Sequence, residues 1–211
     1  MEKLPISLVV IIRNGKDNLK QLIETHRPLV SEVVVLDQSS TDGTFEVAKE
    51  LADIAVQRRN KGYCEPDREY AISLTNQPYV LMLDDDERLS DELRDKMEQL
   101  IKSSGDVFWL RRQNFVDGVD IEEIMGEDYQ CRFWKAGAVR WSDEIHKFPE
   151  SAVNTKVFYI KSPIEHHRTF EGLKKANQRR NEVVREQGVV DMQNRFILGV
   201  ENFLSKKAAV E

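Results

Sequence analysis

Residues 79–87, YVLMLDDDE, form a short apolar run that stops at four consecutive acids. Two earlier stretches also end an apolar run at polar residues: residues 6–12, ISLVVII, and residues 33–37, VVVLD. Continuous aliphatic runs of this length are typical of strands that are buried on both faces of a sheet. Segments with apolar residues at helical spacing separate these runs. Alternation of strand and helix over residues 6–101 therefore predicts an α/β fold with a mostly parallel central sheet flanked by helices.

The rest of the chain has a different pattern. Residues 107–110 predict one more strand, whereas residues 111–165 look irregular, aromatic and charged, with only short strand-like pieces. Residues 170–206 carry a helical pattern. We therefore expect one α/β domain over residues 1–169, with a C-terminal helical extension over residues 170–211 that packs on or beside it. This extension is also a candidate surface for self-association into a homo-oligomer.

The composition argues against several classes of protein. The chain has 211 residues and a net charge of −6, which is unfavourable for binding nucleic acid. No apolar run approaches the roughly 20 residues that span a bilayer, and the first residues show no signal-peptide pattern. We expect a cytoplasmic protein, for which a peripheral membrane contact stays open. Cys64 and Cys131 are expected to be free thiols in a reducing compartment.

Acidic residues follow two of the predicted strands, at Asp37 and at residues 84–86. Ligands bind at the carboxyl ends of strands in open parallel sheets. Neither G-x-G-x-x-G nor G-x-x-x-x-G-K-[ST] occurs, so a bound nucleotide would need another partner for its phosphates. A divalent cation held by carboxylates, Mg²⁺ or Mn²⁺, is the simplest one. Taken alone, three adjacent acids can equally be a solvated turn before a helix.

Three blocks, in this order and spacing, carry a resemblance to a known family: ISLVVIIRNGKDNLKQLIE, VVVLDQSSTDGTFEVAKE and YVLMLDDDERLSDEL. They resemble glycosyltransferases of family 2, which use nucleotide-sugar donors and have the GT-A fold. The resemblance covers roughly residues 5–100, and the most similar branch adds sugars to the bacterial lipopolysaccharide core. The spacing from Asp128 to Arg132 agrees with that branch. Glu127 and Lys147 depart from it, because the branch has Pro and Glu at those places.

The resemblance implies a binding site for a UDP-sugar donor. Asp37 would hydrogen-bond the base, and Arg13 would lie near the base and ribose. Arg68 would lie near the base or the diphosphate. Asp84 would bind the ribose or the sugar. Asp85 belongs to the same group of donor-binding candidates, although it can equally point away or cap the turn.

The resemblance also implies a metal site and a catalytic base. Asp86, at the family's D-x-D motif, would coordinate Mn²⁺ or Mg²⁺, and His146 would lie on the metal or diphosphate side. Asp128 matches the general base, which takes a proton from the attacking hydroxyl. The reserve candidates for that base are Glu127, Asp143 and Glu144.

The implied activity is a metal-dependent, inverting transfer of one sugar from a UDP-sugar to a hydroxyl of a glycan or glycolipid acceptor. Two alternatives remain at this point: a nucleotidyltransferase that uses the same acids, and a non-catalytic nucleotide-sugar-binding module. Guanine or thymine could also replace uracil as the base of the donor.

Some polar and aromatic residues have simpler explanations. His26 lies in a helical pattern that predicts a surface position, and Asp42 predicts a turn or a helix cap. Glu87 is expected to point away from the site or to cap the turn. For Trp134 and Trp141, core packing and stacking on an acceptor sugar both stay open.

Overall fold

The computed structural model describes residues 2–144, 147–186 and 193–208. It divides into two compact units, which are described separately below. The first unit comprises Met1–Arg111 and Tyr129–Ile164, and the second comprises Arg112–Asp128 and Glu165–Glu211. The domain boundary after residue 169 stays a prediction.

Each strand predicted from an apolar run is present in the structure, and several strands are longer than predicted. In chain order they are β1 (Leu4–Ile12), β2 (Val30–Asp37), β3 (Ile54–Gln57), β4 (Tyr79–Met82), β5 (Glu87–Leu89), β6 (Val107–Val116), β7 (Val119–Asp120), β8 (Asp128–Lys135), β9 (Val139–Arg140), β10 (Glu150–Ser151) and β11 (Val157–Arg168).

The main sheet has the strand order β3-β2-β1-β4-β8-β6-β11-β5. β1 pairs in parallel with both β2 and β4, and β2 pairs in parallel with β3, as the strand–helix alternation predicted. β8 joins this parallel part antiparallel to β4. The carboxyl ends of β1, β2 and β4 therefore lie side by side at one edge of the sheet. β9 and β10 form a separate antiparallel pair.

Side-chain oxygens accept backbone hydrogen bonds at the starts of two helices. Ser90 caps the helix Asp91–Lys102 by accepting a hydrogen bond from the Leu93 N–H at 3.2 Å. Asp42 accepts one from the Thr44 N–H at 3.0 Å at the start of the helix Thr44–Leu51, so the prediction of a turn or cap is confirmed. No helix in the described ranges is long and apolar enough to cross a membrane. The helices are α1 (Lys16–His26), α2 (Thr44–Leu51), α3 (Glu65–Ser73), α4 (Asp91–Lys102), α5 (Glu122–Met125), α6 (Phe170–Glu186) and α7 (Gln193–Ala208).

The parallel sheet is buried on both faces, as its continuous apolar runs predicted. On one face Leu8 and Val10 pack with residues of α1 such as Leu22. On the other face Val9 and Leu36 pack in a second cluster that includes Ala71 of α3. Each fully buried side chain of this size contributes roughly 1.5–3 kcal/mol, which makes these strands a rigid support for the polar residues at their ends.

The expectation of only short strand-like pieces among residues 111–165 is wrong for β8 and β11, which are 8 and 12 residues long. In β11 the buried Ser162, Ile164 and His166 alternate with more exposed residues, and in β8 the charged Arg132 interrupts the buried stretch from Cys131 to Trp134. Because polar residues occupy buried positions in both strands, neither contains a continuous apolar run that would reveal it in the sequence.

The predicted surface position of His26 is also wrong. Its side chain is fully buried at the end of α1. Nε2 accepts a hydrogen bond from the Leu89 N–H at 3.2 Å, so the proton lies on Nδ1, which donates to the Leu22 carbonyl at 2.8 Å. Burial lowers the pKa of His26 from 6.5 to about 4, because it disfavours the charged imidazolium.

The second unit contains the ends of β6 and β11, together with β7, α5, α6 and α7. Its small core contains Val116, Ile121 and Val200, against which Phe170 and Leu173 pack. The helical pattern predicted for residues 170–206 is confirmed in the described parts of α6 and α7.

Candidate active site

Asp37 is the last residue of β2, and its side chain is fully buried. Oδ2 accepts hydrogen bonds from the Ser40 N–H at 2.9 Å and from Gln57 Nε2 at 2.8 Å. Oδ1 is buried and has no hydrogen-bond partner among the described residues. A buried carboxylate oxygen without a donor is costly, so this position is suited to a ligand N–H group.

A second buried carboxylate supports the loops around Asp37. Asp67, near the start of α3, is fully buried and accepts a hydrogen bond from Gln38 Nε2 at 2.7 Å. Arg58 Nη1 lies 3.2 Å from the other oxygen of Asp67, and its guanidinium lies over the ring of Tyr70 at 4.3 Å. These contacts tie the residues that follow β2 and β3 to α3. These contacts were not predictable, because no periodic pattern in the sequence marks Asp67 as buried.

The two arginines predicted near the donor lie in the first unit. Arg13 follows the last residue of β1 and is exposed at the same sheet edge as Asp37. Arg68 is half-buried on α3, with its guanidinium over the ring of Trp141 at 4.1 Å. Trp134 is fully buried in the core, so a sugar cannot stack on it. For Trp141 an acceptor-binding role stays a prediction.

Asp84 follows β4 and makes an ion pair with Arg132 of β8. Arg132 also pairs with Glu87, with Nη2 2.8 Å from Oε1. The other oxygen of Glu87 accepts a hydrogen bond from the Asp84 N–H at 3.0 Å. Glu87 therefore does not point away into solvent: it caps the turn and is completely buried. A charged residue inside the apolar stretch Cys-Arg-Phe-Trp of β8 was the available signal for such a buried partner.

Asp85 lies against the start of α1. Its Oδ2 accepts a hydrogen bond from Asn18 Nδ2 at 3.1 Å, and Arg88 Nη1 donates to its carbonyl at 2.8 Å. Burial, reinforced by the nearby charges of Asp86 and Asp84, raises the pKa of Asp85 to about 6. The three acids are therefore close enough for each charge to disfavour the next, as expected of a site that a cation would relieve.

Asp86 is half-buried beside Asp85. In the ranges that the structure covers, no three His, Cys, Asp or Glu side chains group together to hold a metal ion. His146 lies outside the described residues. Mg²⁺ is commonly held by one or two carboxylates and completed by substrate phosphates, and the crowded carboxylates of residues 84–86 fit that kind of hard-cation site.

Asp128 lies in the second unit, at the start of β8. Arg112 holds its Oδ2 through Nε and Nη2, each at 2.7 Å, and Asn114 Nδ2 is 3.4 Å from the same oxygen. These contacts orient the carboxylate. Asp143, Glu144 and Glu127, the reserve candidates for the base, are exposed. The role of Asp128 stays a prediction.

Comparison with protein families and known proteins places the chain among sugar-transferring enzymes. The family model described as Glycosyl transferase family 2 matches residues 7–150. The chain is 30% identical over 155 residues to the lipopolysaccharide core biosynthesis glycosyltransferase LpsC of Rhizobium meliloti, and this match covers 69% of the chain and 57% of LpsC. It is 34% identical over 103 residues to an uncharacterized glycosyltransferase of Rickettsia felis, and this match covers 49% of the chain and 35% of that protein.

Among solved structures, the crystal structure of residues 1–349 of S. aureus TarS is similar to this chain. The TM-score is 0.57 at 15% sequence identity, and the match covers 79% of this chain and 61% of the 1–349 chain of TarS. Similarity at this low identity concerns the fold, and it confirms the GT-A architecture predicted from the sequence. The chain thus spans between about a third and three fifths of the length of these relatives.

Proposed function

Because the chain belongs to glycosyl transferase family 2, we propose that it transfers a sugar from a nucleotide-sugar donor to a hydroxyl group of an acceptor glycan. The observation that carries the proposal is the family match over residues 7–150, which includes both acidic positions at the sheet edge, Asp37 and residues 84–86. The parallel pairing of β1 with β2 and with β4 supports one donor site there, because it brings the ends of these strands to the same edge.

In this proposal the base of a UDP-sugar binds at Asp37. Its buried Oδ1, which has no protein partner among the described residues, would accept the imide N–H of uracil. Guanine and thymine also carry a ring N–H, so donors with those bases belong in the test. Arg13 and Arg68 would lie near the ribose and the diphosphate, where a guanidinium can pair with phosphate oxygens.

Asp86 would hold a divalent cation, Mn²⁺ or Mg²⁺, together with the phosphates of the donor. When bound, the ion would neutralise the charge that develops on the leaving nucleoside diphosphate. Asp84 would bind the ribose or the transferred sugar. Asp85 would line the donor site next to Asp84 and Asp86. His146 stays a predicted neighbour of the metal or diphosphate.

Asp128 would act as the general base. An acceptor hydroxyl oxygen forms a bond to the anomeric carbon while the bond from that carbon to the phosphate oxygen breaks. The nucleoside diphosphate leaves with the bonding electron pair, and the hydroxyl proton moves to the Asp128 carboxylate. Attack opposite the leaving group inverts the configuration of the anomeric carbon.

The acceptor that we propose is a glycolipid core, because the name of LpsC assigns that relative to lipopolysaccharide core biosynthesis. A cytoplasmic location, where nucleotide sugars are made, accompanies this proposal. Self-association through α6 and α7 is a separate prediction, which light scattering of the purified protein tests.

A thermal-shift panel of UDP-, GDP- and dTDP-sugars, each with Mn²⁺ or with EDTA, tests the function. We expect one class of donor to raise the melting temperature in Mn²⁺, and the same donor to release its nucleoside diphosphate when rough-strain lipopolysaccharide is added. Stabilisation by nucleoside triphosphates without any effect of the sugars would favour a nucleotidyltransferase. Donor binding without release in the presence of acceptor would indicate a binding module.

A further inference from the structure

A buried ion pair lies directly behind the acidic cluster. The side chain of Arg132 is 3% exposed and that of Glu87 is 0% exposed, whereas the Asp84 side chain is 41% exposed. A single atom, Arg132 Nη2, joins both carboxylates. Asp84 is thus the one member of this trio in the first unit that a ligand can reach, and the other two contact it from inside the protein.

Stability alone does not explain this arrangement. Taking a guanidinium and a carboxylate out of water costs free energy that their attraction only partly returns, and an apolar pair of similar volume is often as stable. Arg132 Nε is buried without a hydrogen-bond partner among the described residues, so the pair is also incompletely satisfied. Burial opposes the charge of Arg132, but the carboxylates of Asp84 and Glu87 raise its pKa above the usual value, so it remains a cation.

The contacts instead constrain Asp84 at two points. Glu87 accepts the backbone N–H of Asp84 at 3.0 Å, and Arg132 binds the carboxylate. Both anchors come from rigid elements, because Glu87 begins β5 and Arg132 lies inside β8. A carboxylate held in this way has one orientation, and the protein partly offsets its charge before any ligand binds.

We propose that Arg132 and Glu87 are positioning residues that fix the Asp84 carboxylate for the nucleotide-sugar donor. The proposal rests on the donor site assigned above. It assigns different roles to the neighbouring acids: Arg132, which Asp84 shares with Glu87, partly offsets the charge of Asp84 and leaves that carboxylate to accept hydrogen bonds from donor hydroxyls. The cation would then be required mainly by Asp86.

The decisive variant removes both buried charges together, Glu87→Gln with Arg132→Met. No lone charge remains buried, so we expect a cooperative thermal transition like that of the wild type, while the Asp84 carboxylate loses its contact with Arg132. Calorimetry with UDP, GDP and dTDP in Mn²⁺ should show at least a tenfold weaker Kd for the nucleotide that the wild type binds. A double variant that folds and binds that nucleotide with the wild-type Kd would overturn the proposal.

A second variant covers the case in which the double variant does not fold. Arg132→Lys keeps the buried charge on a shorter side chain, whose ammonium should lose contact with at least one of the two carboxylates, so we expect a raised KM for the donor and an unchanged KM for the acceptor. Equal changes in both constants, or none, would contradict a positioning role.

The matched control is Arg27→Met with Asp53→Asn, which removes a half-exposed ion pair in the same unit and should leave donor affinity unchanged. If the wild type binds none of the three nucleotides, the proposed function fails; if it binds one and the variants bind it equally, only this inference fails.

Discussion

The imidazole of His26 accepts the backbone N–H of Leu89 at 3.2 Å, and this hydrogen bond joins the last turn of α1 to β5. β5 is the short strand that runs from the acidic cluster to α4. The same ring donates to the Leu22 carbonyl, so both nitrogens are used and the imidazole is neutral. His26 is therefore a structural link behind the candidate site, and protonation would break it.

The stability of the protein should fall in mild acid because of His26. Its pKa is about 4 in the folded protein and 6.5 when unfolded, so the unfolded state binds more protons between these values. Above pH 6.5 the neutral ring makes its full contribution to the free energy of unfolding. This contribution should be lost progressively as the pH is lowered toward 4. At about 1.4 kcal/mol per pKa unit, the loss reaches about 3 kcal/mol. Urea unfolding at a series of pH values measures it.

The variant His26→Gln provides the control for this dependence. An amide can still donate and accept hydrogen bonds but does not titrate, so this part of the pH dependence should disappear even if the variant is less stable at pH 7. An identical fall in stability for the variant and the wild type would assign the effect to other groups.

A close approach of Gly15 to Asp85 allows the acidic cluster to be disturbed without changing its charge. A Cβ at Gly15 would lie 2.6 Å from Asp85 Oδ2, so Gly15→Ala must push that side chain aside. Because Asp85 is proposed to complete the donor site, we expect a roughly tenfold weaker donor Kd, equivalent to about 1.4 kcal/mol. Calorimetry measures the change, with Asn18→Ala as a partner variant that removes the Asp85 hydrogen bond without crowding. Wild-type affinity in both variants would place Asp85 outside the site.

Asp128→Asn should separate chemistry from donor binding. The amide keeps the shape of the side chain and can no longer take the acceptor proton, so we expect kcat to fall by roughly 10²–10⁴ with donor affinity retained. Initial rates of nucleoside diphosphate release, together with donor calorimetry, measure both quantities. The same substitution at an exposed reserve acid, Asp143→Asn, serves as the comparison. A large loss at Asp143 with near-normal turnover of Asp128→Asn would transfer the role of base to Asp143.

The parallel part of the fold was predictable because each of its strands carries its own signal. The runs at residues 6–12 and 33–36 are buried on both faces, so all of their side chains except Ser7 are apolar. β11 lacks such a run because its buried Ser162 and His166 alternate with more exposed residues, and in β8 the charged Arg132 interrupts the buried stretch. Their places in the sheet depend on pairing with strands that are distant in sequence, which local periodicity does not encode.

The candidate site was predictable to the extent that its residues stand at strand ends. Asp37 ends β2 and the acids at residues 84–86 follow β4, as the apolar runs predicted. The residues that hold them in position were not predicted: the burial of Glu87 and His26 depends on tertiary contacts with Arg132 and Leu89. A charged residue in an amphipathic or polar segment looks solvated until the partner that neutralises it is known.

The central claim is that a cation held by Asp86 binds the phosphates of a nucleotide-sugar donor at this sheet edge. Isothermal titration calorimetry of UDP-sugar into the wild type and Asp86→Ala, each in Mn²⁺ and in EDTA, tests it most directly. We predict binding by the wild type in Mn²⁺ that weakens at least tenfold in EDTA, and equally weak binding by Asp86→Ala in both buffers. The same affinity for the wild type and the variant in Mn²⁺ would contradict the account.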